Sequence, residues 1–578
     1  MPESQIAKDE GSVHYIPHRP VIREDRVTTK IRPVFDASCS VNGVSLNDCL
    51  YPGPNLLAKI FDILLRFRMN KIGILADIKQ AFLNISIHPD HRDFLRFLWR
   101  DPSSSEREIV VFRFMRVVFG LTSCPFLLNG TIRQHMSKYR DSDKEFVEQF
   151  LSDLYVDDIT TGSDTVEKGK VFFEKASSSM SGAGLQLRKW TSNDAELQEF
   201  FSSKEPPLQP KSVEDDSSFA QSQFQSQDEC KRVLGVEWDI SKDVFVFRFD
   251  SFLEKGRTIA LTKRSILSLA ASIYDPLGFL TPITARVKTI FQLVCKIKCS
   301  WDEKVPPDIA CAWYGFLDAL ESVKIVEIGR FAFVSSNNET LKVELHGFCD
   351  SSEIVYCSVV YLRVISEAGI KVFFLSSKSK VAPLKKVTIP RLELLSCVLL
   401  GDLLKSIRSA LSGRISIDAT RCWSDSKVAL CWIRGNRKTW KPWVENRVVS
   451  ARKVVSKDDW HHIPGKENPS DIPTRMVPQF KDAFCDRWFK GPEILLDDDK
   501  LSSFLSNESS LIDSDKSDIL SEARNRFVDF DSRSSFDPFE CKDEVLRSVS
   551  FLFTTDKSDN DISLRKSSML VDTAPYKN

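Results

Sequence analysis

The chain has 578 residues, 80 basic and 80 acidic, with 42% hydrophobic and 28% charged side chains, the composition of a folded protein too long for one ordinary core. It has no run of 18 apolar residues able to span a bilayer, and Met1–Gln5 lacks the basic-then-apolar pattern of a secretory signal. No membrane role and no secretion are expected, and a cytoplasmic or nuclear location is expected. From Asp497 onward 18 acids face 11 bases, which leaves a basic body suited to a polyanionic partner.

In chain order, Tyr15 to Ile22 and Thr28 to Asp36 alternate apolar and basic residues, as expected of a strand pair. Lys71 to Ile78 reads as a short buried strand ending in Asp77, with a helix or turn starting at Lys79 to Phe82. Tyr155-Val156-Asp157-Asp158 sets two adjacent acids inside the apolar stretch Phe150 to Thr161, where unpaired charge is costly. Neighbouring strand residues point to opposite faces, so both acids serve one site only at a turn, and a hairpin tip is expected. A hard divalent cation bound by carboxylates and substrate phosphates would then balance the charge, which points to phosphoryl transfer.

Between 191 and 228 the sequence is polar and repetitive, which predicts a mobile insertion. Val233 to Trp238 and Val244 to Phe249 predict a β-hairpin. His346 to Glu353 and Val355 to Arg363 predict a strand holding Asp350 and a following β-prone run. Pro390 starts a helix bearing Glu393, Asp425 ends a strand, and Asp471 precedes Pro473. Lys371 to Arg391 holds six bases and no acid, while Cys431 to Val454 holds seven against Glu445 alone, interleaved with Trp432, Trp440 and Trp443. Such segments either hold phosphates with stacked rings or form solvated helix faces over buried tryptophans. Residues 497–578 are acidic and serine-rich and are expected to be a disordered tail. The 14 cysteines lack paired Cys-x-x-Cys spacing and read as free thiols, not disulfides or zinc ligands.

Asp77-Ile78-Lys79-Gln80-Ala81-Phe82, Phe119-Gly120-Leu121-Thr122-Ser123-Cys124-Pro125-Phe126 and Tyr155-Val156-Asp157-Asp158 resemble, in order and spacing, the palm motifs of a reverse transcriptase. The resemblance implies Asp77, Asp157 and Asp158 as catalytic metal ligands, with Ile78 adding a backbone carbonyl. It implies Phe82 under the incoming sugar, Phe119 and Gly120 against nucleotide and template, Arg32 on the triphosphate and Lys189 near the leaving pyrophosphate. It also implies that the hairpin from Val233 grips the primer strand. Ser272-Ile273-Tyr274-Asp275-Pro276-Leu277-Gly278-Phe279-Leu280-Thr281-Pro282 resembles the connecting segment of BEL/Pao-type retrotransposon polyproteins, and no Asp-Thr-Gly or Asp-Ser-Gly loop suggests a peptidase.

Asp350, Glu393, Asp425 and Asp471 resemble the catalytic, metal-holding tetrad of a ribonuclease H domain. Cys357 stands where related elements commonly have glycine, and neither His461 nor His462 matches the mobile histidine of some such nucleases. The implied fold is an α+β right-hand reverse transcriptase, fingers and palm over 10–260, a Pao-type connecting region over 261–335 and an α/β ribonuclease H-like domain over 340–478. The implied activity is RNA-directed DNA synthesis with hydrolysis of the RNA strand of RNA/DNA hybrids. It would use two Mg2+ per active site, with Mn2+ as the alternative ion. Expected partners are an RNA template, a DNA primer, RNA/DNA hybrid and deoxynucleoside triphosphates; oligomeric state stays open. The chain reads as the excised central piece of a polyprotein, and a catalytically inactive, host-retained or decayed copy that only binds nucleic acid is the alternative.

Overall fold

The computed structural model describes residues 13–22, 31–100, 108–205, 230–297, 299–333, 342–435, 440–506 and 521–523. The strand Ile72–Ile78 is buried along almost its whole length, as a run apolar on both faces requires of a central strand. It pairs antiparallel with Asp158–Ser163 on one side and with Leu187–Ser192 on the other, and Leu154–Tyr155 completes a four-stranded sheet. Helices Lys144–Ser152, Val166–Ser181 and Ala195–Lys204 pack onto it through Phe146, Phe150, Phe172, Phe173, Leu197 and Phe201. Each starts at a polar cap, Asp143, Thr165 or Asp194, whose side chain accepts from the third backbone amide of the helix.

The expectation of a mobile insertion over 191–228 is corrected for its first part. Residues up to 204 complete a strand and form a helix, because the Asp194 cap and the fully buried Leu197 and Phe201 outweigh their polar neighbours. Residues 206–229 lie outside the described ones.

A second antiparallel sheet runs in the order Cys230–Val233, Val236–Asp239, Val244–Arg248, Ile325–Gly329. Its first turn, Leu234-Gly235, has positive φ at both residues (49° and 93°), the backbone that suits a two-residue hairpin. Ile325–Gly329 closes a sheet begun at Cys230, so the expected division between 10–260 and 261–335 runs through one sheet. Pairing between residues some 80 positions apart leaves no local mark in sequence.

The third sheet has five strands in the order Gly369–Val381, Val355–Ser366, Lys342–Ser351, Ala419–Ser424, Trp460–His462. The first three are antiparallel neighbours, and the last two run parallel to Lys342–Ser351. The helix Ile389–Leu411 lies against it, starting at Pro390 as predicted and burying Leu392, Leu394, Leu400, Leu403, Leu404 and Ile407. One continuous hydrophobic core joins this sheet, the second sheet and the helices between them.

The Ser272 to Pro282 string makes part of that junction. Asp275 accepts from the amides of Gly278, Phe279 and Leu280 at 2.9, 3.0 and 2.6 Å, closing a tight loop. Ser377 N–H donates to the Leu277 carbonyl (3.0 Å) and Ser376 Oγ to the same oxygen (2.7 Å), so the loop docks on the outer strand of the third sheet. Buried arginines add three further links. Arg330 donates to the carbonyls of Phe67, Asn70 and Lys71 and to Asp243; Arg68 donates to those of Arg330, Phe374 and Leu375; Asp153 takes Arg66 at 2.8 Å and Arg414 at 3.2 Å.

The expected disordered tail from 497 is also corrected at its start, where Asp498–Ser506 is helical and Asp498 reaches the fully buried Arg363. Residues 507–520 and 524–578 lie outside the described ones. No described helix is long and apolar enough to cross a membrane.

Gly278 has φ +79°, and a Cβ there would stand 1.9 Å from the Ser377 carbonyl oxygen. Gly278→Ala should therefore lower the thermal midpoint by several degrees, since both strain and a backbone clash oppose it. Calorimetry showing an unchanged midpoint would contradict the docking of this loop.

Candidate active sites

The first acid set is built by strand register. Asp77 and Asp158 are direct partners in the antiparallel ladder, and Tyr155 pairs with Asp158, leaving Val156-Asp157 as a two-residue turn. Val156 has φ +53°, an unfavourable value for a β-branched residue that the Ile78 N–H helps to hold by donating to the Asp157 carbonyl (2.9 Å). All three carboxylates are buried. Burial and then the nearby Asp77 charge push Asp157 up to about 6.

Two cations face Asp77. Arg188 is its partner on the other neighbouring strand, with Nη2 3.7 Å from Oδ2. Lys189 sits in a register shift with φ +56°, which turns its Nζ to within 3.2 Å of the same oxygen. A cleft of about 270 Å3 opens beside them, lined by Asp77, Asp158, Lys189 and Thr191 on one side and by Lys231 to Leu234 of the second sheet's hairpin on the other.

Phe82 is buried and meets Phe119 edge-on at 4.8 Å, while Phe119 itself is exposed. Gly120 has φ +99°, and a Cβ there would lie 2.7 Å from the Phe35 carbonyl oxygen, so no larger residue fits this turn. Asn47, which sequence reasoning missed, braces it by donating to the Gly120 carbonyl and accepting from Thr122 N–H, both at 2.9 Å. Arg32 lies in the strand Ile31–Phe35 opposite Val21, and its side chain lies outside the described residues.

Parallel register builds the second set. Cys349 and Ser424 are partners, so Asp350 and Asp425 stand side by side one residue further on, and Glu393 reaches them from the first turns of its helix. Oxygens of Asp350, Glu393 and Asp425 all lie within 4.8 Å of one another, the one group of three such donors converging this closely among the described residues. Burial and then Asp425 push Asp350 up to about 7; burial, Asp350 and Asp425 push Glu393 well above the usual carboxylate range. Glu393 Oε2 and Asp425 Oδ1 are buried and take no hydrogen bond from any described residue. Acceptor-only oxygens left unsatisfied in this way fit a hard divalent cation.

Asp471 is not part of the close group. Arg475, one helical turn on, donates to its Oδ1, and this pairing holds the carboxylate at the margin. Thr474 Oγ1 donates to Asp350 Oδ2, and Asn468 and Ser470 donate to the carbonyls of Cys349 and Phe348, both at 2.9 Å. These four residues were missed as contributors, although they flank Asp471 in one short string. Cys357 lies opposite Asp350 in the ladder and is fully buried, and His461 packs on Trp423 at 5.1 Å.

A mixed sheet with acids gathered at the ends of two parallel strands and on the covering helix defines a ribonuclease H-like α/β domain. Residues 262–426 match the model of the Pao retrotransposon-like RNaseH-like domain. The match crosses from the connecting region into the third sheet, the two parts that share one core. No curated protein matches the chain. It is similar to the foamy viral protease-reverse transcriptase dRH in complex with double-stranded DNA, at 16% identity and TM-score 0.47, over 78% of this chain and 66% of that one. It is likewise similar to the foamy viral protease-reverse transcriptase in complex with RNA/DNA hybrid, at 15% identity and TM-score 0.45, over 78% of this chain and 50% of that one. The chain thus spans about two thirds of one and half of the other.

A carboxyl whose folded pKa is raised binds its proton more tightly in the folded state, so its contribution to stability falls as pH rises between the unfolded and folded values. For Asp350 that window runs from 3.8 to about 7. In EDTA, Asp350→Asn should therefore stabilise the protein at pH 8 and change little at pH 5. Mg2+ should recover the wild type's midpoint at pH 8 and have a much smaller effect on the variant. Thermal scans at both pH values, with and without Mg2+, check this; a larger effect of the substitution at pH 5 would reverse the assignment.

Proposed function

We propose that the chain is an RNA-directed DNA polymerase with an attached ribonuclease H-like nuclease. In this reading residues 10–260 form fingers and palm, 261–335 the connection and 340–478 the nuclease. The observation that carries it is the Asp77–Asp158 partnership with Asp157 at the adjoining turn, because two motifs predicted some 80 residues apart meet in register and Asp77 and Asp158 line one cleft.

In the polymerase, Asp77, Asp157 and Asp158 would hold Mg2+, which when bound neutralises the acids and polarises phosphoryl oxygens. Lys189 and Arg188 place positive charge at the edge where a triphosphate and its leaving pyrophosphate would lie. Phe82, fixed against Phe119, forms a floor that a ribose 2′-hydroxyl would strike, and the turn at Gly120 lets backbone approach nucleotide and template. Arg32 is assigned to the triphosphate, and the hairpin of Val233 to Trp238 and Val244 to Phe249 to the primer strand whose 3′-hydroxyl attacks the α-phosphate.

In the nuclease, Asp350, Glu393 and Asp425 would hold the ions, with Thr474 orienting Asp350 and Arg475 restraining Asp471. The substrates are accordingly a primed RNA template with deoxynucleoside triphosphates, and an RNA/DNA hybrid.

Primer extension on an RNA template should fall to background in the double variant Asp157→Asn plus Asp158→Asn. Equal incorporation by variant and wild type would leave a non-catalytic nucleic-acid binder. Cleavage of the RNA strand of a hybrid should disappear in Asp425→Asn while primer extension persists; if that variant still cuts, the nuclease assignment fails.

A further inference from the structure

Arg391 and Lys441 lie in the two basic runs of the sequence, 50 residues apart, and the structure brings them to one place with an acid from the tail. The Arg391 guanidinium rests 4.8 Å from the Trp443 ring centroid, and that of Arg447 rests 3.8 Å from the same ring. Two cations on one half-buried indole repel each other, and burial together with Arg391 holds the Arg447 guanidinium below its usual pKa. Glu522 supplies the compensating charge. Its Oε1 accepts from Arg391 Nε at 2.8 Å and lies 2.7 Å from Nη2.

The segment is clamped by backbone as well. Lys441 N–H donates to the Glu522 carbonyl (2.7 Å), Lys441 Nζ to the Ser521 carbonyl (2.8 Å), and Trp440 bridges Ala523. The fit is incomplete, since Glu522 Oε2 is buried and takes no hydrogen bond from any described residue. The Arg391 fork spends both its nitrogens on the one oxygen Oε1, and a phosphodiester with two non-bridging oxygens could take the place of this carboxylate on the same donors. The place lies beside the second acid set: Arg391 precedes Glu393 by two residues, and Arg447 interacts with Tyr356, whose strand partner Ser351 follows Asp350.

We propose that Arg391, Lys441 and Arg447 around Trp443 form a docking site for a backbone phosphate of the nuclease substrate, and that Glu522 occupies it in the free protein. The inference rests on the nuclease reading and adds to it a site outside the carboxylates and a competitor within the chain. Substrate binding then includes displacement of Glu522.

The test measures binding of a labelled RNA/DNA hybrid to the full chain by fluorescence anisotropy, in an Asp425→Asn background that removes cleavage, across a range of salt concentration. Glu522→Gln should tighten binding about threefold to tenfold, because the competitor is gone while the same phosphate contact forms. That gain should vanish when Arg391→Gln is combined with it, and Arg391→Gln alone should lower the log–log salt slope by about one, as for one lost phosphate contact. Unchanged affinity in Glu522→Gln would overturn the proposal, including where its thermal midpoint drops and shows a purely structural contact. Equal tightening with and without Arg391 would also overturn it, by showing a general effect of net charge. Failure of the nuclease reading appears separately, as cleavage that survives Asp425→Asn.

Discussion

Like charges confined to a desolvated cleft repel, and the surroundings of both acid sets are governed by that fact. Two unit charges 4.8 Å apart at an effective dielectric of about 20 cost roughly 3 kcal/mol, so three converging carboxylates cannot all stay ionised without help. The two sites answer this differently. Around Asp77 the help is resident, in Arg188 on the adjoining strand and Lys189 in the bulge. Around Glu393 no such pairing is present among the described residues; Arg475 donates to Asp471, and burial with mutual repulsion pushes Asp350 and Glu393 up. The second site therefore shows its demand for positive charge more openly than the first.

Other ion pairs hold the frame that keeps the acids together. Asp153 sits at the base of the Asp157 hairpin, where its carbonyl takes the Thr160 N–H at 3.0 Å and its carboxylate takes Thr161 Oγ1 at 2.7 Å. Arg414 reaches that carboxylate from just beyond the helix Ile389–Leu411, whose first turns carry Glu393. A helix of this length spans about 35 Å. One rigid element thus begins at the second acid set and ends against the support of the first. Removing either partner of such a buried pair strands a charge, which costs far more than the pair contributes as a whole.

What could be read from the chain follows from how local each signal is. Asp77 and Asp425 each end an apolar strand, which alone is ordinary; their order along the chain with the other acids is what made them legible, and Pro390 announces the helix that carries Glu393. The hairpin tip at Val156-Asp157 followed from two adjacent acids needing one face. The stretch 191–204 was misread because its composition is polar, although Asp194, Leu197 and Phe201 already carry a cap and a buried helical face. The closing strand Ile325–Gly329 and the roles of Arg66, Arg68, Arg330 and Arg414 left no such trace. A charged residue bound for a distant carbonyl looks locally like any exposed one. The Arg475 grip on Asp471 was within reach of sequence, as an acid and a base four positions apart on a helix.

Burial alone does not mark a chemical role for an acid here; the state of its oxygens does. Asp275 is desolvated enough to be pushed up to about 6, yet three amides satisfy it, and its work is to close the loop that covers a sheet edge. Glu344, almost fully buried, is held below the ordinary range by His346, Lys342 and Arg421 despite the cost of burial, with Arg363 at 2.9 Å. Asp153 has two arginines and a threonine. By contrast, Glu393 Oε2 and Asp425 Oδ1 are buried beside another carboxylate with no described donor for either. Folding gains nothing from that arrangement, and an apolar or amide replacement would be easier to bury. It is the acids left in want of a partner, not the most deeply buried ones, that fit a ligand from outside the chain.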